Sequence, residues 1–105
     1  MSDQELLELA ARSIGGYYDE YTDCFSTDMI NWEQWEPLED DGDAFRLLHA
    51  INADIHHGEN ELGETIITVQ PSSVPFNECP FCEAYDTEGF RRAIVRAAAA
   101  IGSEI

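Results

Sequence analysis

Three cysteines and three histidines are the residues of this 105-residue chain best suited to making or breaking bonds. Cys79 and Cys82 are separated by two residues, a spacing at which two thiolates reach one tetrahedral ion, so they supply half of a zinc site. Cys24 with one of His49, His56 or His57 would have to supply the other half. A second Cys-x-x-Cys, far stronger evidence for zinc, does not occur. The plainer role for the cysteines is packing, because a free Cys is among the most buried residue types. A thioredoxin-like redox use is disfavoured: that pair opens a helix directly after a strand, whereas several residues separate Cys82 from the last helical pattern. Cys24 with His49 or His56 can be written as nucleophile and base, yet no nucleophile elbow or comparable local signature accompanies them.

The acids Glu39, Asp40, Asp41 and Asp43 form the densest run of carboxylates. Just ahead of a helical stripe they are expected to accept hydrogen bonds from the free backbone donors of a helix start and to complement its dipole. A Mg²⁺ or Ca²⁺ site is the sharper alternative, but the spacing departs from the Asp-x-Asp-x-Asp-Gly loop and no distant bidentate Glu can be identified. Arg91, Arg92 and Arg96 put three of the five basic residues on the last helix. In so acidic a chain they are expected to meet carboxylates of this chain or of a second copy rather than an outside anion. The segment Tyr17-Tyr18-Asp19-Glu20-Tyr21, followed by Trp32 and Trp35, offers residue types that dominate interface hot spots, and equally the ordinary composition of strands. Phosphate-cradling glycines and carboxylates paired at a catalytic separation are missing from the sequence, which calls for neither cofactor nor catalytic residue.

Twenty-two acids oppose five basic residues, all arginine, for a formal net charge of −17. Direct binding to nucleic acid is therefore not expected, because that affinity comes from Lys and Arg displacing counterions. An acidic surface would instead attract a basic protein, including a groove that ordinarily holds nucleic acid; solubility or adaptation to a salty cytoplasm explains the same charge. Acids stand in Met1–Glu5 where a secretory signal carries basic residues, and the apolar stretch 93–101 falls well short of the ~20 residues that span a bilayer. With an odd number of cysteines, these features predict a cytoplasmic protein with no membrane span.

The elements that must position these residues follow from periodicity. Ser2 and Glu5 form a capping-box pattern ahead of Leu6, Leu7, Ala10, Ala11 and Ile14, and Gly15-Gly16 supplies a helix stop. Two hairpin strands are expected near Tyr17–Tyr21 and Met29–Trp32, divided by Ser26-Thr27-Asp28. A second helix is predicted over 42–52 with Asn52 as its stop, then a short strand Ile55–His57, a turn at Gly58-Glu59-Asn60 and a clear strand around Thr65, Ile67 and Val69. Residues 71–86 hold three of the four prolines and read as a long irregular loop, and a last helix is predicted from Thr87 to Ile101. The order α-β-β-α-β-β-α predicts one α+β domain over 1–105, with a four-stranded antiparallel sheet and three helices as a layered sandwich.

The run Trp35-Glu36-Pro37-Leu38-Glu39-Asp40-Asp41-Gly42-Asp43-Ala44-Phe45-Arg46-Leu47, with Arg91-Arg92-Ala93-Ile94-Val95-Arg96-Ala97-Ala98-Ala99 and Glu5-Leu6-Leu7-Glu8-Leu9-Ala10-Ala11, resembles the phage α-β-α sandwich domain family. The resemblance implies a phage or prophage origin and an α/β sandwich, and carries no catalytic residues. Cys79-Pro80-Phe81-Cys82 departs from that pattern. Together the readings lead to a non-enzymatic accessory protein that binds a protein partner, such as a host or defence factor with a basic groove. A self-associating assembly protein and a zinc-stabilised module using Cys79 and Cys82 are the alternatives.

Overall fold

A computed structural model of the chain describes residues 2–59, 61–71, 82–84 and 86–104, with Cys82 and Ala84 described by backbone alone. The order of elements is α1 (Asp3–Ser13), β1 (Tyr17–Asp19), β2 (Cys24–Ser26), β3 (Glu33–Gln34), α2 (Asp41–Ala50), β4 (Ala53–Glu59), β5 (Thr65–Pro71), β6 (Cys82–Ala84) and α3 (Thr87–Ser103). The α+β class and the three helices agree with the sequence reading. The single four-stranded sheet does not: the strands form two antiparallel sheets, β1-β2-β3 and β4-β5-β6.

Helix boundaries follow the capping chemistry. The Ser2 hydroxyl accepts the Glu5 N–H at 3.2 Å to start α1. At its end Gly15 adopts φ +77°, while the N–H groups of Gly15 and Gly16 bond the carbonyls of Arg12 and Ala11, closing a Schellman turn. Asn52, at φ +53°, ends α2 by donating to the His49 carbonyl. Asp86 caps α3 by accepting the Gly89 N–H at 2.6 Å.

The first sheet is small because its connections are side-chain turns. Asp19 accepts both the Tyr21 N–H and the Thr22 hydroxyl at 3.0 Å, and Asp23 sits at φ +54°, so β1 turns back after three residues onto β2. Residues 29–32, expected as a strand, are a bend instead: the Asp28 carboxylate draws in the N–H groups of Ile30 and Asn31, which a ladder would otherwise use. The second sheet is longer than predicted. β4 and β5 pair over seven positions from Ala53↔Pro71 to Glu59↔Thr65, so the turn falls after Glu59 rather than at Gly58. Ile67 and Val69 are buried as the period-two pattern requires. β6 lies inside the stretch expected as an irregular loop, and pairs with β5 from Ile66↔Ala84 to Thr68↔Cys82; residues 72–81 and 85 lie outside the described residues.

α3 is the central element, packed against α1, α2, β5 and β6. Its buried face is made of Gly89, Ala93, Ile94, Val95, Ala97, Ala98, Ala99 and Gly102. Small residues let neighbouring backbones come close. A Cβ built on Gly102 would stand 1.8 Å from the Leu9 carbonyl oxygen, so glycine is what permits α1 to lie on the end of α3. Trp35 is the large side chain under the first sheet, with its ring 5.2 Å from Phe25 and 6.0 Å from Tyr18.

Gly102→Ala should lower stability by roughly 2 kcal/mol in urea denaturation, because a methyl group there meets backbone that must shift. Gly58→Ala, where a Cβ would meet nothing within 4 Å, should stay within about 0.5 kcal/mol of the parent. Equal effects from both would contradict the close crossing of α1 and α3.

Candidate functional site

The segment from Trp35 to Arg46 holds the densest acids, and its geometry assigns them structural work. The Trp35 N–H bonds the Asp23 carbonyl at 2.8 Å, and the N–H groups of Glu39 and Asp40 return to the Glu36 carbonyl at 2.9 and 2.7 Å. Asp40 then caps α2, accepting the Asp43 N–H at 2.8 Å. Asp43 faces back along the chain: one oxygen accepts the Glu36 N–H at 2.9 Å, and the other takes a close ion pair from Arg46. Asp41 receives Arg91 Nη1 at 2.7 Å, while Arg91 Nε donates to the Leu38 carbonyl at 2.8 Å. Asp40, Asp41 and Asp43 are thus capping and pairing groups, as their place ahead of α2 predicts.

The arginines of α3 behave likewise. Each reaches a different neighbour within the same chain: Arg91 the start of α2, Arg92 Asp3 of α1 at 3.3 Å, and Arg96 Glu83 of β6 at 2.8 Å. These pairs fasten α3 to three surrounding elements.

The residues that might have formed a catalytic or zinc site are spread over the fold. Cys24 is half-buried in β2 of the first sheet, its thiol donating to the Thr22 carbonyl at 3.4 Å, whereas Cys82 lies on β6 of the second. His49 is in the last turn of α2, and His56 and His57 are on β4. Cys79 lies outside the described residues. No group of three or more His, Cys, Asp or Glu among the described residues is arranged to hold a metal ion. Among the described residues, cavities of about 520, 420 and 170 Å³ open on the surface, and Cys24, His49 and His56 do not line these. His57 borders the first beside Ile55, Ile67 and Phe90; Arg12, Glu8 and Tyr17 border the second; Tyr18, Trp35, Asp23 and Glu36 border the third.

Among the described residues, two groups have unusual acid–base character, Tyr18 in β1 and Asp28 in the loop after β2. The Tyr18 phenol is held above the ordinary tyrosine range by burial first, then by its 2.6 Å hydrogen bond to Asp23 and the nearby charges of Asp23, Glu20 and Glu36. Asp28 is held well below the usual carboxylate range by the hydrogen bonds it accepts, led by the N–H groups of Asn31 and Ile30. Sequence reading took Ser26-Thr27-Asp28 only as a divider; the serine, aspartate and asparagine spacing of an Asx turn was the signal for this centre.

The aromatic residues divide sharply. Trp35 enters the core, whereas Tyr17, Tyr21, Met29, Ile30 and Trp32 are exposed on the same lobe. Comparison with family models, curated proteins and solved structures finds no match to this chain. No helix among the described residues is long and apolar enough to cross a membrane.

Tyr18 yields a pH prediction. A phenol whose folded value is raised contributes stability that is full below the ordinary tyrosine pKa of ~10 and is lost as pH rises from there through the folded value. Absorbance titration of the native protein should show a late tyrosine ionisation that Tyr18→Phe removes, and Tyr18→Phe should flatten the fall in stability above pH ~10. A titration curve whose late phase is unchanged by Tyr18→Phe would contradict the Tyr18–Asp23 contact.

Proposed function

We propose that this chain is a non-enzymatic accessory protein of phage or prophage origin that works in the cytoplasm by binding a protein with a basic face. The observation that carries the reading is the division of its charges. Arg46, Arg91, Arg92 and Arg96, four of the five basic residues, are each engaged with a carboxylate of the same chain. With 22 acids in the sequence, the field met by a partner is set by carboxylates. Such a field repels phosphate backbones and steers Lys- and Arg-rich surfaces, including the groove of a host or defence factor that ordinarily holds nucleic acid. The resemblance of the Trp35–Leu47 segment and of α3 to phage α-β-α sandwich proteins supports the origin. Self-association through the arginine helix has less support, because Asp41, Asp3 and Glu83 of the same chain already meet those arginines.

The test is capture from bacterial lysate by the immobilised chain, beside a variant in which the exposed Glu8, Glu20, Glu33, Glu59, Glu61 and Glu88 are all changed to Gln. A partner should be retained at about 20 mM salt, be released by about 0.5 M salt as screening shortens the field, and be lost by the variant. Capture that is empty at low salt, or identical for parent and variant, would refute the reading.

A further inference from the structure

Between β2 and β3 the chain forms a loop, residues 27–32, whose apolar side chains serve no core. Met29 is 60% exposed, Ile30 79% and Trp32 39%. Tyr17, also exposed, stands across from Ser26, the residue from which the loop departs. Apolar side chains gathered in one short segment of so acidic a surface mark an interaction site more often than chance exposure.

The loop is built rather than slack. The buried Ser26 hydroxyl accepts the N–H groups of Asp28 and Met29 at 3.2 and 2.9 Å and donates to Asp28 at 2.9 Å. Asp28 in turn accepts the N–H groups of Ile30 and Asn31 at 2.8 and 2.9 Å and the Asn31 side-chain amide at 3.0 Å. This network holds Met29 at φ +62°, a left-handed conformation uncommon for a long side chain and sustained only where the surroundings over-determine it. A segment already fixed in one shape loses little conformational freedom when it docks.

We propose that Met29, Ile30 and Trp32 are the anchor by which this protein enters an apolar cleft of its partner, a cleft rimmed by Lys and Arg side chains. The inference rests on the protein-binding reading above and names the partner's chemistry. Charge complementarity selects the occupant. Asp28 lies within the loop and Glu33 directly follows it, so the apolar tip carries carboxylates at its edge and needs cations around the cleft that receives it. A second copy of the chain would bring the same carboxylates against one another, at a formal net charge of −17 on each side.

The experiment titrates the full chain at low salt, following tryptophan fluorescence, with two synthetic peptides of equal length: one alternating Lys and Leu, the other Lys alone. The Lys-Leu peptide should bind tighter and shift the emission to the blue as Trp32 leaves water. Ile30→Ser should weaken the Lys-Leu peptide roughly tenfold or more and leave the all-Lys peptide unchanged. Asp28→Ala, which keeps the apolar residues but removes the network that fixes them, should also weaken the Lys-Leu peptide, with circular dichroism confirming that both variants remain folded. If both peptides bind and Ile30→Ser does not discriminate between them, the anchor is refuted while the acidic-surface reading stands. If neither peptide binds the parent, both fall. Binding of neutral phosphatidylcholine vesicles that Ile30→Ser abolishes would overturn the proposal in favour of a lipid surface. Dimerisation that Ile30→Ser abolishes would overturn it in favour of a second copy.

Discussion

The structure depends on how closely three layers can approach α3. A helix that touches α1, α2 and a sheet at once cannot carry large side chains on every face. Between Ala93 and Gly102 its buried positions are small apart from Ile94 and Val95, and at Gly102 there is no room for even a Cβ against the Leu9 carbonyl. Small residues bring backbones together but bury little apolar area per residue. The arginines add a second means of attachment, one to each neighbour: Arg91 to the start of α2, Arg92 to α1 and Arg96 to β6. Of these, Arg91 is the most enclosed, and its bond to the Leu38 carbonyl joins residues 53 apart in sequence. A charged group in a half-buried hydrogen bond contributes more than an exposed ion pair, about 1.5–3 kcal/mol against about 0.2–1.

That arrangement sets what the surface can do. Carboxylates near α2 satisfy helix donors and cations: Asp40 caps, Asp43 holds Glu36 and Arg46, and Asp41 takes Arg91. The exposed glutamates are left to define the external field, while the first sheet presents a fixed apolar loop. An acidic surface provides long-range steering with little specificity, and an apolar anchor provides short-range fit without reach. On the proposed reading, charge brings a basic partner close and packing at the loop holds it. The Tyr18–Asp23 and Asp28 networks belong to this lobe, where they set the shape of the first sheet.

Much of this was legible in the residues. Ser2 with Glu5, Gly15-Gly16 and Asn52 mark helix ends by mechanisms that act within one turn, so α1 and α2 fall close to where periodicity puts them, while α3 runs on through Gly102 to Ser103. Of the acids expected to cap the start of α2, Asp40 does so, while Asp41 and Asp43 pair with Arg91 and Arg46; the arginines of α3, expected to meet carboxylates of this chain or of a second copy, meet those of this chain. Errors concentrate where side chains compete with the backbone. Asp19 and Asp28 draw backbone donors into turns, which shortens β1 and converts 29–32 from strand to bend, and the expected single sheet becomes two. β6 escaped notice because a three-residue strand among prolines carries no period, and its place is fixed by pairing with β5 and contact with α3. The exposure of Ile30 and Met29 was equally illegible, since residues of those types in a strand would alternate into the core.

Arg91, Arg92 and Arg96 are fasteners of α3 rather than ligands for an outside anion. Urea unfolding of Arg91→Met, Arg92→Met and Arg96→Met tests this most directly. Arg91→Met should cost the most, about 2 kcal/mol, because it loses both the Leu38 carbonyl and Asp41, with smaller losses of up to about 1 kcal/mol for the more exposed pairs. Three variants as stable as the parent would contradict the claim and leave those arginines free for another role.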